Sequence, residues 1–329
     1  MEIIDYSVVI RTTGKAREKY VRLLNSVKQL IPIPTEIIVV LPDGYSLPLE
    51  RLGTEKFYFS KKGMYYQRIE GIKRCKTKYA LICDDDVCFD SDFVKKLHKP
   101  LLQKKGFISA APLFSFLPEN TKGVISDAIT ASAVPTLLYR NKRYVTVLSS
   151  SGYSYNKHID TNHEKYYESQ SVAGTCFYAD VETLKKCDLD AEVWLDFHGY
   201  AAIEDQLLIY KAWLNDYKTI VVSNAYYQHL DGKTSSKNNS KNMTYSLGFN
   251  RVVFWHRFLY NEKKHFISKF WVRLCFIYNT FCRLSISFIR GLTKGNNLDL
   301  FRLLKKGYRD GYKFLKTKEY KKLPEVVGK

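Results

Sequence analysis

The sequence predicts an α/β domain on a mostly parallel sheet, followed by a basic helical tail. Three observations carry this expectation. Short apolar, β-branched runs at residues 6–10, 36–41 and 79–83 alternate with amphipathic stretches at helical spacing, the βαβ succession of a parallel sheet. The third run stops on Asp84-Asp85-Asp86, so a buried strand opens into solvent at its C-terminal end, the edge where open α/β sheets bind ligands. The formal charge of +19 is also unevenly placed. Residues 251–329 hold 19 Lys/Arg against 5 Asp/Glu, and residues 1–250 hold 33 against 28, so the excess belongs to the tail. A chain of 329 residues has room for one large domain plus such an appendage.

Taken in order, strand 6–10 ends in Arg11-Thr12-Thr13-Gly14-Lys15. A helix follows, with Tyr20, Leu23, Leu24, Val27 and Leu30 on one face, ended by Pro32 and Pro34. Strand 36–41 closes on the turn Pro42-Asp43-Gly44, and residues 57–59 form a third strand. Residues 65–75 are a helix carrying Gln67 and Arg68, leading into the strand that ends on the acids. Helix 92–99 is expected to break at Pro100. A strand at 107–112 precedes residues 113–170, rich in Ser, Tyr, Asn and Lys, which are expected to be a variable binding region instead of a second core. Then come strand 172–179, helix 181–187, the segment 196–200, a helix opened by Ile203-Glu204-Asp205-Gln206, a last short strand at 219–222, and the loop 228–235 with His229. No internal repeat is evident.

Seven irregularly spaced cysteines without a CxxC pair point to a reducing compartment and away from structural zinc. The acidic start enters a strand at once, which predicts no secretion signal. The glycosylation patterns at Asn238 and Asn242 are therefore expected to lie in a polar loop. Three adjacent carboxylates repel one another unless donors or a cation compensate them, and hard oxygen ligands select Mg²⁺ or Mn²⁺ that share their shell with water and phosphates. A solvated acidic turn, or a cap for a helix near Ser91, is the plainer alternative.

Together, SVVIRTT, EIIVV with its Asp-Gly turn, GMYYQRIEGIKRCKTKYALICDDD, AGTCFY, AIEDQLLIYKAWLNDYKT and HLDGKTS resemble, in order and spacing, family 2 glycosyltransferases of the GT-A fold, over residues 6 to about 235. The nearest in character are bacterial enzymes of surface-polysaccharide synthesis. The resemblance implies an inverting transfer of sugar from a nucleotide-sugar donor to an acceptor hydroxyl. It implies a metal (Mg²⁺ or Mn²⁺) on Asp86, with Asp84 or Asp85 on the ribose and His229 as second ligand, diphosphate contact or structural residue. Asp205 is the expected catalytic base, with Glu204 the second choice; acids at a helix N-terminus are otherwise explained by the dipole. Arg11, Thr12, Thr13 and Asp43 would hold base and ribose, although Leu41-Pro42 stands where the family carries an acid directly after the second strand. Arg68 would pair with the diphosphate or cap a surface, and Gly174 would admit donor or acceptor close to the backbone.

The expected division is a catalytic domain at 1–235, with a donor half at about 1–112 and an acceptor half at about 113–235. A linker at 236–255 and a basic, aromatic-rich helical region at 256–329 follow. Between Phe266 and Ile289, Lys269, Arg273, Thr280, Arg283 and Ser287 recur at helical steps, and Arg290 continues the series. This single polar stripe on an otherwise apolar helix suits a helix lying in a membrane interface better than a spanning one. Packing on the catalytic domain or a dimer partner is the alternative. An anionic membrane surface, a lipid-linked glycan acceptor and a place on the cytoplasmic membrane face are thus expected, and no nucleic-acid motif accompanies the charge. A nucleotidyltransferase or a silent carbohydrate-binding scaffold are the rival classes.

Overall fold

The computed structural model describes residues 4–114, 117, 121–130, 144–230, 237–293 and 298–326. Apolar alternation places β1 (Tyr6–Arg11), β2 (Glu36–Pro42), β3 (Glu55–Ser60) and β4 (Tyr79–Asp84) side by side in parallel, in the order β3-β2-β1-β4. The interior residues of β1, β2 and β4 are buried on both faces, as expected of a parallel sheet covered by helices, while the edge strand β3 is partly exposed. Helix α1 (Glu18–Lys28) closes one face and α2 (Met64–Arg74) the other. Beyond β4 the sheet continues through β10 (Cys176–Asp180), β6 (Ile108–Ala110), β11 (Thr219–Val222) and β9 (Tyr166–Ser169), with β10 and β9 antiparallel to their neighbours. The mostly parallel α/β sheet is the predicted class. The expected strand at 172–179 is shorter: it starts at Cys176, and the residues before it form the loop that carries Gly174.

Two local expectations fail for physical reasons. Helix α3 (Phe93–Leu102) runs through Pro100 instead of ending there. The proline forfeits one backbone bond, but Phe93, Val94, Leu97 and Leu101 on either side of it are all buried and hold both ends to the core. A strand also appears where a loop was expected: β12 (Tyr227–His229) pairs antiparallel with β5 (Val87–Phe89), setting His229 opposite Val87. Its non-local pairing leaves no trace in a three-residue segment. The rest of the HLDGKTS motif, residues 231–235, lies outside the described residues. Within 113–170, α4 (Thr121–Thr130) and the hairpin β7 (Thr146–Leu148) and β8 (Ser154–Asn156) do enclose a small core, in which Val124, Ala128, Tyr144, Val147, Tyr153 and Tyr155 meet.

After α5 (Val181–Lys186), a 3-10 segment (Leu189–Asp196) leads to α6 (Glu204–Leu214). The stretch expected to be a linker, with its Asn238 and Asn242 patterns, is instead the helix α7 (Lys237–Phe254). It continues as a π-helical turn (Trp255–Tyr260) into α8 (Phe266–Thr293), α9 (Asp299–Phe314) and α10 (Lys318–Lys321). Asn and Ser favour loops locally, but Phe249, Val252, Val253 and Phe254 are buried in the same cluster as α2 and α6, and this burial decides the helix. Glu192, wholly buried, fastens the tail: it accepts from both Nε and Nη2 of Arg257 at 3.0 Å, from Lys211 Nζ at 2.9 Å and from Trp194 Nε1 at 2.7 Å.

Helices α7 and α9 cross at near backbone contact. A Cβ on Gly307 would stand 2.2 Å from the Tyr245 carbonyl oxygen, and one on Gly248 2.7 Å from that of Leu304. Gly307→Ala is therefore expected to destabilise by about 1–3 kcal/mol through overpacking, although alanine is the better helix former. Thermal melting checks the sign, since an unchanged or raised Tm would mean that the crossing can open at no cost.

Candidate active site

Because β1 and β4 pair in parallel with Arg11 opposite Asp84, their carboxyl ends bring a cation and the first of the three acids together. Arg11 donates from Nε to Asp84 Oδ1 at 2.5 Å and from Nη2 to Oδ2 at 2.9 Å, a bidentate clasp. Its Nη1 donates to Glu204 Oε1 at the start of α6. Arg68, one turn into α2 and almost fully buried, donates to Glu204 from Nε at 3.3 Å and from Nη2 at 3.1 Å. Its Nη2 also reaches the Gly174 carbonyl at 2.8 Å and lies 3.5 Å from Asp84. Two guanidiniums and two carboxylates thus form a closed square tying β1, β4, α2 and α6. Burial alone would raise the Glu204 carboxyl, but the charges of Arg11 and Arg68 outweigh it and hold it below the usual range. Arg68 Nη1 is buried with no protein partner.

Asp205 stands beside this square under different conditions. Gly174 N–H donates to its Oδ2 at 3.1 Å and its own neighbour's Gln206 N–H to Oδ1 at 2.8 Å. Among the described residues no guanidinium hydrogen-bonds it, and burial, aided by the Glu204 charge, outweighs the more distant Arg68 and pushes its carboxyl above the ordinary range. The residue before the pair, Ile203, has φ +68°, a left-handed conformation that a β-branched side chain adopts only under constraint. Asn250 supplies part of that constraint from the tail, donating at 3.1 Å to the carbonyls of both Leu195 and Ala202. Gly174 admits Asp205 closely, since a Cβ there would lie 2.6 Å from Asp205 Cβ. The close approach expected at Gly174 is thus made by this side chain. Asp205 also lines a cavity of about 180 Å³ in which Thr146, Ser154, Asn156 and Ser171 share the wall with apolar Leu113, Val145, Val172 and Val221, so a small number of polar groups stand in a largely apolar lining.

The remaining acids lie at the turn after β4. Thr12 Oγ1 donates to Asp85 at 2.6 Å, and burial, reinforced by the charges of Asp86 and Asp84, pushes the Asp85 carboxyl up to about 7. Asp86, also buried, lies 3.2 Å from His229 Nε2, brought there by the β5–β12 pairing. Thr175 bonds the Tyr227 hydroxyl at 2.6 Å, joining the Gly174 loop to the strand that carries His229. Thr13 and Asp43 are exposed at the ends of β1 and β2. Among the described residues no group of three or more His, Cys, Asp or Glu side chains stands together as a metal cage. Asp86 and His229, with Asp85 adjoining, still fit a divalent ion that keeps several waters and takes phosphate oxygens. The crowding that pushes Asp85 up is the observation that a cation would relieve.

The sequence reading places Gln67 on a helix and Asp196 at the head of a segment without a role for either, yet both shape this edge. Asp196 Oδ2 accepts the N–H groups of Tyr65 and Tyr66 at 3.0 and 2.9 Å, capping α2 from a distant segment. Buried Gln67 donates to the carbonyls of Thr12 and Val40 at 2.9 and 2.8 Å and so fixes the loop after β1. A lone acid between Leu195 and Phe197 is the one signal that could have found Asp196. All seven cysteines are free.

Residues 7–188 match the family described as glycosyl transferase family 2, more than half of the chain. The chain belongs to glycosyl transferase family 2. No curated protein matches it. Among solved structures, this family 2 chain is similar to GalNAc-T7, crystallised with UDP, GalNAc and Mn²⁺. Identity is 14%, the TM-score is 0.52, and the match covers 85% of this chain and 56% of that one. It is also similar to residues 1–349 of S. aureus TarS in complex with UDP-GlcNAc, at 14% identity and TM-score 0.51, over 94% of this chain and 80% of that one. The chain thus spans little more than half the length of the GalNAc-T7 chain. At such identity these likenesses show the fold, a GT-A-like α/β sheet with the acids at its carboxyl edge.

Proposed function

We propose that this family 2 chain transfers a sugar from a nucleotide-sugar to an acceptor hydroxyl with inversion, in one displacement. The observation that carries the reading is Asp205: a desolvated carboxylate outside the clasp of Arg11 and Arg68, fixed by two backbone N–H groups and lining a cavity with hydroxyl and amide side chains. The acceptor hydroxyl oxygen attacks the anomeric carbon, the bond from that carbon to the diphosphate oxygen breaks, and the hydroxyl proton passes to Asp205. Desolvation suits it to this task, because it raises the affinity of the carboxylate for the proton. Glu204, clasped by Arg11 and Arg68, keeps the start of α6 in place. Thr12, Thr13, Asp43 and Asp85 would meet base and ribose. Asp86 and His229 would hold Mg²⁺ or Mn²⁺, which supplies Lewis-acid stabilisation of the leaving diphosphate.

The acceptor we infer is a lipid-linked glycan of surface-polysaccharide synthesis at the cytoplasmic membrane face. It is supported by the apolar, basic tail that adjoins the cavity wall. The test of the transfer reading is binding of UDP-, GDP-, dTDP- and CMP-sugars, with and without Mn²⁺, to the full chain and to Asp86→Ala. A Mn²⁺-dependent rise in Tm with one nucleotide, reflecting about 2–3 kcal/mol of stabilisation at ligand a hundredfold above Kd, should vanish in the variant. A folded protein that binds none of these donors would overturn it.

A further inference from the structure

We propose that α8 is an in-plane docking helix for an anionic lipid bilayer, seated through a face that the fold leaves uncovered. The sides of this helix are unlike. Val272, Cys275, Phe276 and Asn279 are buried against the protein. Trp255 stacks on Phe276 with ring centroids 4.4 Å apart and donates to the Val272 carbonyl at 3.2 Å, while Asn279 donates to the carbonyl of Thr130. Nearly opposite, Phe270, Leu274, Ile277, Phe281, Phe288 and Leu292 are all exposed, Phe281 at 68%. At 3.6 residues per turn these six fall within an arc of about 60°, a ridge of roughly 33 Å. Exposed Trp271, Tyr278 and Ile289 widen it on one side. A continuous apolar face of this extent is an interaction surface, not scattered exposure.

Charge identifies the occupant. Lys269 and Arg273 line the flank between the buried and the exposed faces, Arg283 and Arg290 fall on the protein-facing side, and α8 contains no acid. The next helix, α9, adds exposed Arg302, Lys305, Lys306, Arg309 and Lys313. An aromatic-rich apolar ridge bordered by cations matches acyl chains beneath anionic headgroups. A second copy of the chain would bring the same cations against themselves. The helix is long and apolar enough to cross a membrane. Crossing would require Phe276 to leave Trp255 and Asn279 to leave Thr130, and would carry two cations, Arg283 among them, through the hydrocarbon.

The docking helix shares a wall with the cavity. Arg283 lies over the ring of Tyr153, at 4.6 Å, on the turn between β7 and β8. Thr146, Ser154 and Asn156 of that hairpin line the recess that holds Asp205. This deepens the acceptor reading and rests on it only for the cargo; docking itself needs neither donor nor metal.

The test is flotation of the full chain with vesicles of phosphatidylglycerol and phosphatidylethanolamine, compared with phosphatidylcholine alone. Nucleotide-sugar binding is read separately on the same samples. The wild type should float with anionic vesicles and be released by salt and by alkaline carbonate. Phe270→Glu/Ile277→Glu/Phe281→Glu should abolish flotation, and Lys269→Glu/Arg273→Glu should weaken it by about tenfold or more. Both variants should keep the Tm and donor binding of the wild type, so a failed donor assay would count against the transfer reading alone. Flotation unchanged in the triple variant, resistance to carbonate, or a dimer that the triple variant abolishes without vesicle binding would each overturn the proposal.

Discussion

Asp205→Asn is expected to lower kcat by about 10²–10⁴-fold, the range of a lost general base, while leaving donor affinity unchanged. The substitution keeps the side-chain shape and one backbone acceptor contact, so the fold should persist. The pH profile sharpens the expectation. Burial and the Glu204 charge raise the Asp205 carboxyl, and the base acts only when ionised. The acid limb of the wild-type rate should therefore lie above the ordinary aspartate value of about 3.9 and disappear in the variant. Linkage has the opposite sign for stability: ionising a carboxyl whose folded pKa is raised costs the fold stability as pH rises through that value. The group best placed to take a proton is thus one that the folded state holds at a cost. Steady-state kinetics across pH with a bound-donor control decide it, and a variant retaining a tenth or more of wild-type kcat would remove Asp205 from the role.

Arg68→Met is expected to be the most damaging stability change outside the apolar core. It leaves Glu204 and Asp84 sharing the single cation of Arg11 in a buried site, a loss of about 3–5 kcal/mol or on the order of 10 °C in Tm. Adding Glu204→Gln should recover part of that loss, because one unpaired charge goes with it. The acid dependence follows from the same square. Glu204 has a folded pKa below its unfolded value, so its stabilisation is present above about pH 4.3. That stabilisation disappears as pH falls through the lower folded value. In Arg68→Met the folded value lies closer to the unfolded one, so this acid-labile stabilisation should be smaller and be exhausted at a higher pH. Acid melting curves of the two proteins check the order, and coincident curves would show that Arg11 alone suffices.

What the sequence made legible is what local pattern encodes. The β-branched runs of β1, β2 and β4 and the helical spacing of α1 announce themselves because burial on a known period leaves a mark in every residue. Asp84, Asp85, Asp86, Glu204 and Asp205 stand out as acids at strand and helix ends. Non-local partners are what stayed hidden. Nothing in Tyr227-Gln228-His229 shows that it pairs with a strand about 140 residues earlier, and that pairing is what sets His229 against Asp86. Asp196 capping α2 and Glu192 clasping Arg257 are likewise meetings of distant segments. In α7 the Asn and Ser content spoke for a loop, and tertiary burial of Phe249 and Phe254 overrode it. The ridge on α8 was visible as aromatic density, but which side of the helix faces the protein is a property of packing.

Asn250 has a wider consequence. Its side chain, on the first tail helix, grips the segment that ends in Ile203 and Asp205. Arg251 beside it donates to Gly152 and to Gln206, the neighbour of Asp205. The tail is therefore a splint for the loop that ends in Asp205, and the two inherit each other's changes. A lineage that exchanged the whole tail would have to rebuild that loop in the same step. Variation is open at lower cost on the outer ridge of α8, where side chains can change without disturbing the grip.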